Sequence, residues 1–397
     1  MRDKTQNITF LTVLVFVVCY FARVFHMPNE LTVVLGGMIC LALLMQQKKI
    51  RIDLGLCLLV ITLVSYYVIS NGIRGVFYAI LYIPLEIYII GKYMVCGIKD
   101  FQKYEQRFFS LIMAMVAGYT ILGVLNSYMF FAGYVVPGTR RWQDFWSHGI
   151  VPGTQHTAYF LPALSMFIPA VMYFKERKVL NIIFIALSVF FCYTALVTKS
   201  RMQLVIFVIV CFVQVLLLTF MEKEKTKKVL SNKLTWGMTA LVIAICAVVI
   251  FMVRDTEVMV AFVNNMGKGG GILNNVRFES QRMALTQLFE FPMGGHKMEL
   301  GRTYCHNTWL DMANAAGLIP FFAYTAYTVY TVIILLKYLC LKNISTENKI
   351  IIGGLYMSFF LYMTVESVFD ASIHLLTPWI FLNGVVCGVV SQKIHNI

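Results

Sequence analysis

HNTWLDMANAAGLIPFFAYTAYTVYTVIILLK, residues 306–337, is the stretch whose reading decides the fold. It opens with a histidine and an asparagine and runs on as apolar and aromatic side chains to Lys337. At about 1.5 Å of rise per residue, roughly 20 residues cross the hydrocarbon core of a bilayer, so this run is too long for one simple crossing. Gly317 and Pro320 interrupt it, which predicts a short entry helix, a break, and then the true span.

Similar runs recur outward along the whole chain. Of its 397 residues, 59% are hydrophobic and only 13% charged, whereas soluble domains carry about a quarter charged residues. The pattern predicts spans over 8–25, 31–45, 52–71, 74–95, 108–131, 156–174, 179–198, 202–221, 234–253, 308–337, 350–368 and 372–391. The expected fold is therefore all-α: a polytopic transmembrane helical bundle of about 12 spans, forming a single integral membrane domain over residues 1–397. The first run follows Arg2 and Lys4 as a signal peptide would, but no small-residue cleavage site follows, so it reads as a retained helix. The ten cysteines are scattered, mostly within spans, and read as small apolar filler rather than a disulfide framework.

Charge orients the chain. With both termini cytoplasmic, the inner segments hold 21 of the 33 lysines and arginines, in keeping with the positive-inside rule. The inner set is 17 lysines and four arginines, and the outer set is nine arginines and three lysines. Positive charge alone orients a chain, and lysine supplies it. An outer face that prefers arginine points instead to bidentate recognition of phosphate or carboxylate, set against ordinary headgroup contact. Six of the seven histidines also fall outside. The expected location is a cell (inner or plasma) membrane, multi-pass, with an extracytoplasmic site.

Two outer segments are long. Residues 132–155 carry turn residues, aromatics and the pair Arg140/Arg141. Residues 254–306 pass through the glycine-rich GKGGG into VRFESQRMALTQLFEF, a surface helix on which Leu285, Leu288 and Phe289 share an apolar face. Three motifs follow in order. VTKSRMQL places Arg201 at a span boundary, where a snorkelling anchor is the plainer role. NVRFESQR…FPMGG places Arg277 at the start of the surface helix. CHNTWL places His306 at a helix entrance beside Asn307, a natural helix cap. Glu366 and Asp370 sit one helical turn apart near the outer end of the eleventh span, where an acid is either functional or paired with an arginine. Arg141, His156, Arg282, Asn307 and Glu366 complete the candidate substrate contacts. No metal-ligand spacing, nucleotide-binding loop, nucleophilic serine motif or nucleic-acid signature is present, and no cofactor is expected.

Taken in order, Ser200-Arg201, the arginine–proline–GG stretch beginning at Arg277, and HNTWLDMANAAGLIP resemble the O-antigen ligase/polymerase family, bacterial integral membrane glycosyltransferases of the GT-C type. The likeness is strongest over about residues 139–320. Gln281 departs from it, standing where the family often has tryptophan, and GGH stands for its usual G.G. The resemblance implies that Arg201 and Arg277 hold the diphosphate of an undecaprenyl-diphosphate-linked glycan donor. It implies that His306 acts on the hydroxyl of a glycan or lipid-glycan acceptor, with inversion and without a metal. The alternative is a secondary transporter or lipid-linked glycan flippase, for which matched, interrupted helices in two halves are the expected sign.

Overall fold

The computed structural model describes residues 2–24, 30–46, 52–71, 85–96, 101–173, 177–222, 276–301, 303–366 and 373–393. The proposed span 234–253, residues 254–275 of the loop 254–306, Arg302 and Asp370 lie outside the described residues. What is described is mostly helical. Five helices are long and apolar enough to cross a membrane: Tyr104–Phe131, Lys178–Val197, Met202–Met221, Leu318–Leu339 and Thr346–Val365. Shorter apolar helices cover Phe10–Phe21, Glu30–Gln46, Leu54–Ser70 and Thr377–Ser391. The molecule is of the all-α membrane type, and it exposes large apolar side chains as a lipid-facing surface requires. Val208, Phe212 and Phe220 are 66%, 62% and 79% exposed.

In chain order the helices are α1 (Arg2–Phe21), α2 (Glu30–Gln46), α3 (Leu54–Asn71), α4 (Leu85–Val95) and α5 (Phe101–Phe131). A hairpin of β1 (Arg141–Gln143) and β2 (Ile150–Pro152) follows. Then come α6 (Gly153–Ala158), α7 (Leu161–Leu164), α8 (Phe167–Tyr173), α9 (Lys178–Val197), α10 (Arg201–Met221) and α11 (Val276–Thr286). The chain closes with α12 (Thr308–Ala316), α13 (Leu318–Leu339), α14 (Thr346–Val365) and α15 (Thr377–Lys393). Two compact units emerge from the contacts. One comprises residues 1–122, 277–344 and 359–397, and the other residues 123–276 and 345–358.

In the first unit, α4 and α15 meet backbone to backbone. A Cβ on Gly384 or Gly388 would lie 2.3 Å from the Tyr88 carbonyl oxygen or 2.4 Å from that of Lys92. Gly384 and Gly388 are four residues apart, the small-residue spacing that lets helices approach closely in lipid. Asp53 precedes α3 and accepts from its Leu56 N–H at 2.8 Å, from the Tyr88 hydroxyl at 2.8 Å and from the Lys92 ammonium. This ties the start of α3 to the end of α4.

In the second unit, segment 156–174 is not the single continuous span that hydropathy predicts. It is broken into α6, α7 and α8. Pro162 and Pro169 withdraw backbone donors, and tight bonds such as Phe160 N–H to the Thr157 carbonyl close the turns between pieces. The segment 132–155 is not merely turns. Trp142 is buried on β1, donates its indole N–H to the Asn126 carbonyl at 3.0 Å, and stacks on His156 at 4.5 Å. In α10, Gln214 donates to the carbonyls of Ser165 and Ile350 at 2.8 and 3.1 Å.

Within the second unit, helix ends that the charge pattern assigns to one side are found together. Arg177 and Glu347 pair at 3.2 Å, both assigned to the inner side, and the Thr157 hydroxyl meets that of Ser200 at 3.2 Å, both assigned to the outer.

Candidate functional site

Helix α11 is made largely of good helix formers, with Glu279 in its first turn complementing the dipole. Its Ala284, with Leu288 just past its end, is buried against Met298, Leu300, Cys305, Leu310 and Ala313, and Ser280 is buried one turn earlier. Of the apolar face expected from sequence, Leu285 and Phe289 are 56% and 70% exposed, as a helix at the membrane surface expects, and Leu288 alone is buried. Small residues sit on the packed side because the following loop lies close against it. The large apolar ones point outward with Phe278, where acyl chains are the natural neighbour.

The entrance to α12 is held by two reciprocal caps. Asn307 accepts from the Leu310 N–H at 3.2 Å, and its own N–H donates to Asp311 at 3.0 Å. Asp311, buried, also accepts from the Cys305 N–H at 2.7 Å. Gln281 donates to the carbonyls of Cys305 and His306, both at 3.3 Å. These bonds hold His306 at φ +55°, a left-handed conformation that non-glycine residues seldom adopt and that recurs where a site over-determines the backbone.

Helix α12 ends at Gly317, and α13 begins at once, with Pro320 harmless in its first turn. The FPMGG segment docks on this break. Leu318 N–H donates to the Pro292 carbonyl at 2.9 Å and Gly295 N–H to that of Ala315 at 3.0 Å. Gly294 and Gly317 both have positive φ. A Cβ at Gly317 would lie 2.1 Å from the Pro292 oxygen, so only glycine permits this approach.

On this frame three side chains meet. Arg277 Nη1 donates to the Val365 carbonyl at 2.9 Å, and both Nη atoms reach Glu366 Oε1 at 3.4 Å. His306 Nδ1 lies 3.4 Å from Glu366 Oε2. The side chains of Arg277 and His306 are each 27% exposed, and that of Glu366 only 9%. Thr308, buried, donates its hydroxyl to the Glu366 carbonyl at 3.0 Å, and Asn307 Nδ2 donates to the Thr364 carbonyl at 3.4 Å. A cation, an acid and an imidazole therefore share one partly open surface, an arrangement suited to binding an anion beside a proton acceptor.

The other candidates are placed as follows. Arg201 opens α10 in the second unit, directly after Lys199 at φ +59° and the buried Ser200; its side chain lies outside what is described. Arg141 is exposed on β1, and Arg282 is exposed on α11. His156 is wholly buried against Trp142, with Nε2 3.1 Å from the Trp142 carbonyl oxygen; it packs the hairpin and is not presented to a substrate. Asn307 caps α12. Sequence reasoning counted Asp311 among the outer carboxylates and Gln281 as a departure from the resemblance but gave neither a role; they hold the loop around His306. An acid four residues after a capping asparagine was the available signal for the first. Compared with known protein families and with curated proteins, the chain matches none.

Proposed function

We propose that the chain is a membrane glycosyltransferase of the O-antigen ligase/polymerase type, moving a glycan from a polyprenyl-diphosphate carrier to an acceptor hydroxyl on the outer face of the membrane. The observation that carries this is the meeting of Arg277 and His306 around Glu366 at a partly open surface. The diphosphate is a good leaving group, so its departure needs charge stabilisation more than a proton donor. Guanidinium groups supply that bidentately, the role proposed for Arg277 and for Arg201. The acceptor oxygen attacks the anomeric carbon and forms the new glycosidic bond. The bond from that carbon to the diphosphate oxygen breaks, and its electron pair leaves with the diphosphate. Neutral His306 takes the hydroxyl proton. Displacement in a single step inverts the anomeric centre. The outer location rests on the lysine–arginine partition, and it places both termini in the cytoplasm.

A second reading has its own support: the interruptions in 153–173 and at Gly317 are the kind of helix break that transporters and flippases use at their binding sites. Incubating the purified chain with a carrier-linked oligosaccharide separates the two. A ladder on a gel marks polymerisation and a single shift marks ligation. Movement of carrier-linked sugar across proteoliposomes with no new glycosidic bond marks transport.

A further inference from the structure

Glu366 is more enclosed than either group it touches, and its position is set from the backbone. Its N–H donates to the Tyr362 carbonyl at 3.0 Å, and its carbonyl accepts from Thr308 at 3.0 Å. The two carboxylate oxygens are divided, Oε1 toward Arg277 and Oε2 toward His306. Both contacts to Arg277 are 3.4 Å, at the long limit of a hydrogen bond, while the same guanidinium holds the Val365 carbonyl at 2.9 Å. Arg277 is thus anchored by a neutral carbonyl and only loosely engaged by an acid. A diphosphate carries two negative charges and offers more acceptor oxygens than one carboxylate, so it outcompetes a weak contact without requiring the arginine to move.

We propose that Glu366 is a positioning residue that works by exchange. At rest it partly neutralises Arg277. When a diphosphate takes Arg277, Glu366 turns wholly to His306 Nδ1. A carboxylate accepts hydrogen bonds, so it selects the tautomer with the proton on Nδ1 and leaves the Nε2 lone pair to accept the hydroxyl proton. The imidazolium that results faces the same carboxylate. Donor loading and base orientation become one event, which keeps the histidine fully oriented only when a donor is present. This rests on the transferase reading for its purpose but not for its geometry.

The test uses the full chain in detergent, with a short prenyl diphosphate as the binding probe and a carrier-linked oligosaccharide for turnover. Glu366→Gln is expected to bind the probe about tenfold more tightly, because the competing carboxylate is gone, while transfer falls about a hundredfold and the donor KM drops along with kcat. In an Arg277→Gln background, adding Glu366→Gln is expected to leave affinity unchanged. Glu366→Asp keeps the charge but reaches only one partner, and is expected to lose turnover with no gain in affinity. Unchanged or weaker binding in Glu366→Gln overturns the exchange. An equal gain with and without Arg277 also overturns it, since that reports only the general field. If the affinities follow the expected pattern but the unaltered chain forms no glycosidic bond, the exchange stands and the transferase reading fails.

Discussion

Lys92 and Asp53 meet in the interior of the first unit, with side chains 2% and 15% exposed, whereas Arg277 and Glu366 meet at 3.4 Å with the arginine 27% exposed. Both are acid–base pairs joining distant segments. The inner pair is closely bonded, and its acid is further satisfied by Tyr88 and by the first turn of α3. The outer pair is long, shared with a histidine, and set beside a residue held at positive φ. An ion pair that serves packing saturates its partners and excludes everything else. One that serves chemistry keeps a partner exchangeable.

The largest effect expected is at His306. Replacing it by alanine should reduce transfer about a thousandfold or more while a prenyl diphosphate still binds, measured by turnover alongside calorimetry; undiminished product would remove the base role. Lys92→Ala should act on the other cluster, leaving Asp53 uncompensated and lowering stability by about 3–5 kcal/mol, read as a fall in detergent melting temperature. Transfer per folded molecule should not change. If Lys92→Ala abolished transfer with stability intact, the division between a packing pair and a chemical pair would collapse. Arg277→Lys should cost transfer about a hundredfold with melting unaltered, because a point charge cannot reproduce the two-pronged contact. The same change at Arg201 tests the diphosphate role proposed for that arginine. Smallest of all, Arg282→Ala on the exposed side of α11 should shift stability by no more than about 0.5 kcal/mol and transfer only slightly.

Several features were legible in the chain before any fold was known. The break at Gly317 follows from glycine and proline in a run too long for one crossing. Arg277 does open α11, and Asn307 caps α12. The Gly384–Gly388 spacing was equally readable, and it marks the approach of α15 to α4. Other readings went astray for physical reasons. Periodicity placed Leu285, Leu288 and Phe289 together on the apolar face of a membrane-surface helix; Leu285 and Phe289 are exposed as that expects, but Leu288 is buried against the neighbouring loop. In a membrane chain, apolar does not mean inward. Hydropathy also predicted one span over 156–174, because an average over a window does not register which N–H groups two prolines remove. His156 was a candidate for substrate because it is polar and assigned outside, but only its stacking under Trp142 showed that it is packing.

By itself, then, the sequence determined the membrane character, the helical class and the break at Gly317. Each of these depends on residues adjacent along the chain, whose transfer energies and backbone limits add locally. Only the tertiary structure decided that Glu366 stands between Arg277 and His306, 89 and 60 residues away from it. That meeting depends on how glycine-lined backbones, caps and a buried loop pack, and such contacts leave no periodic trace in the order of the residues.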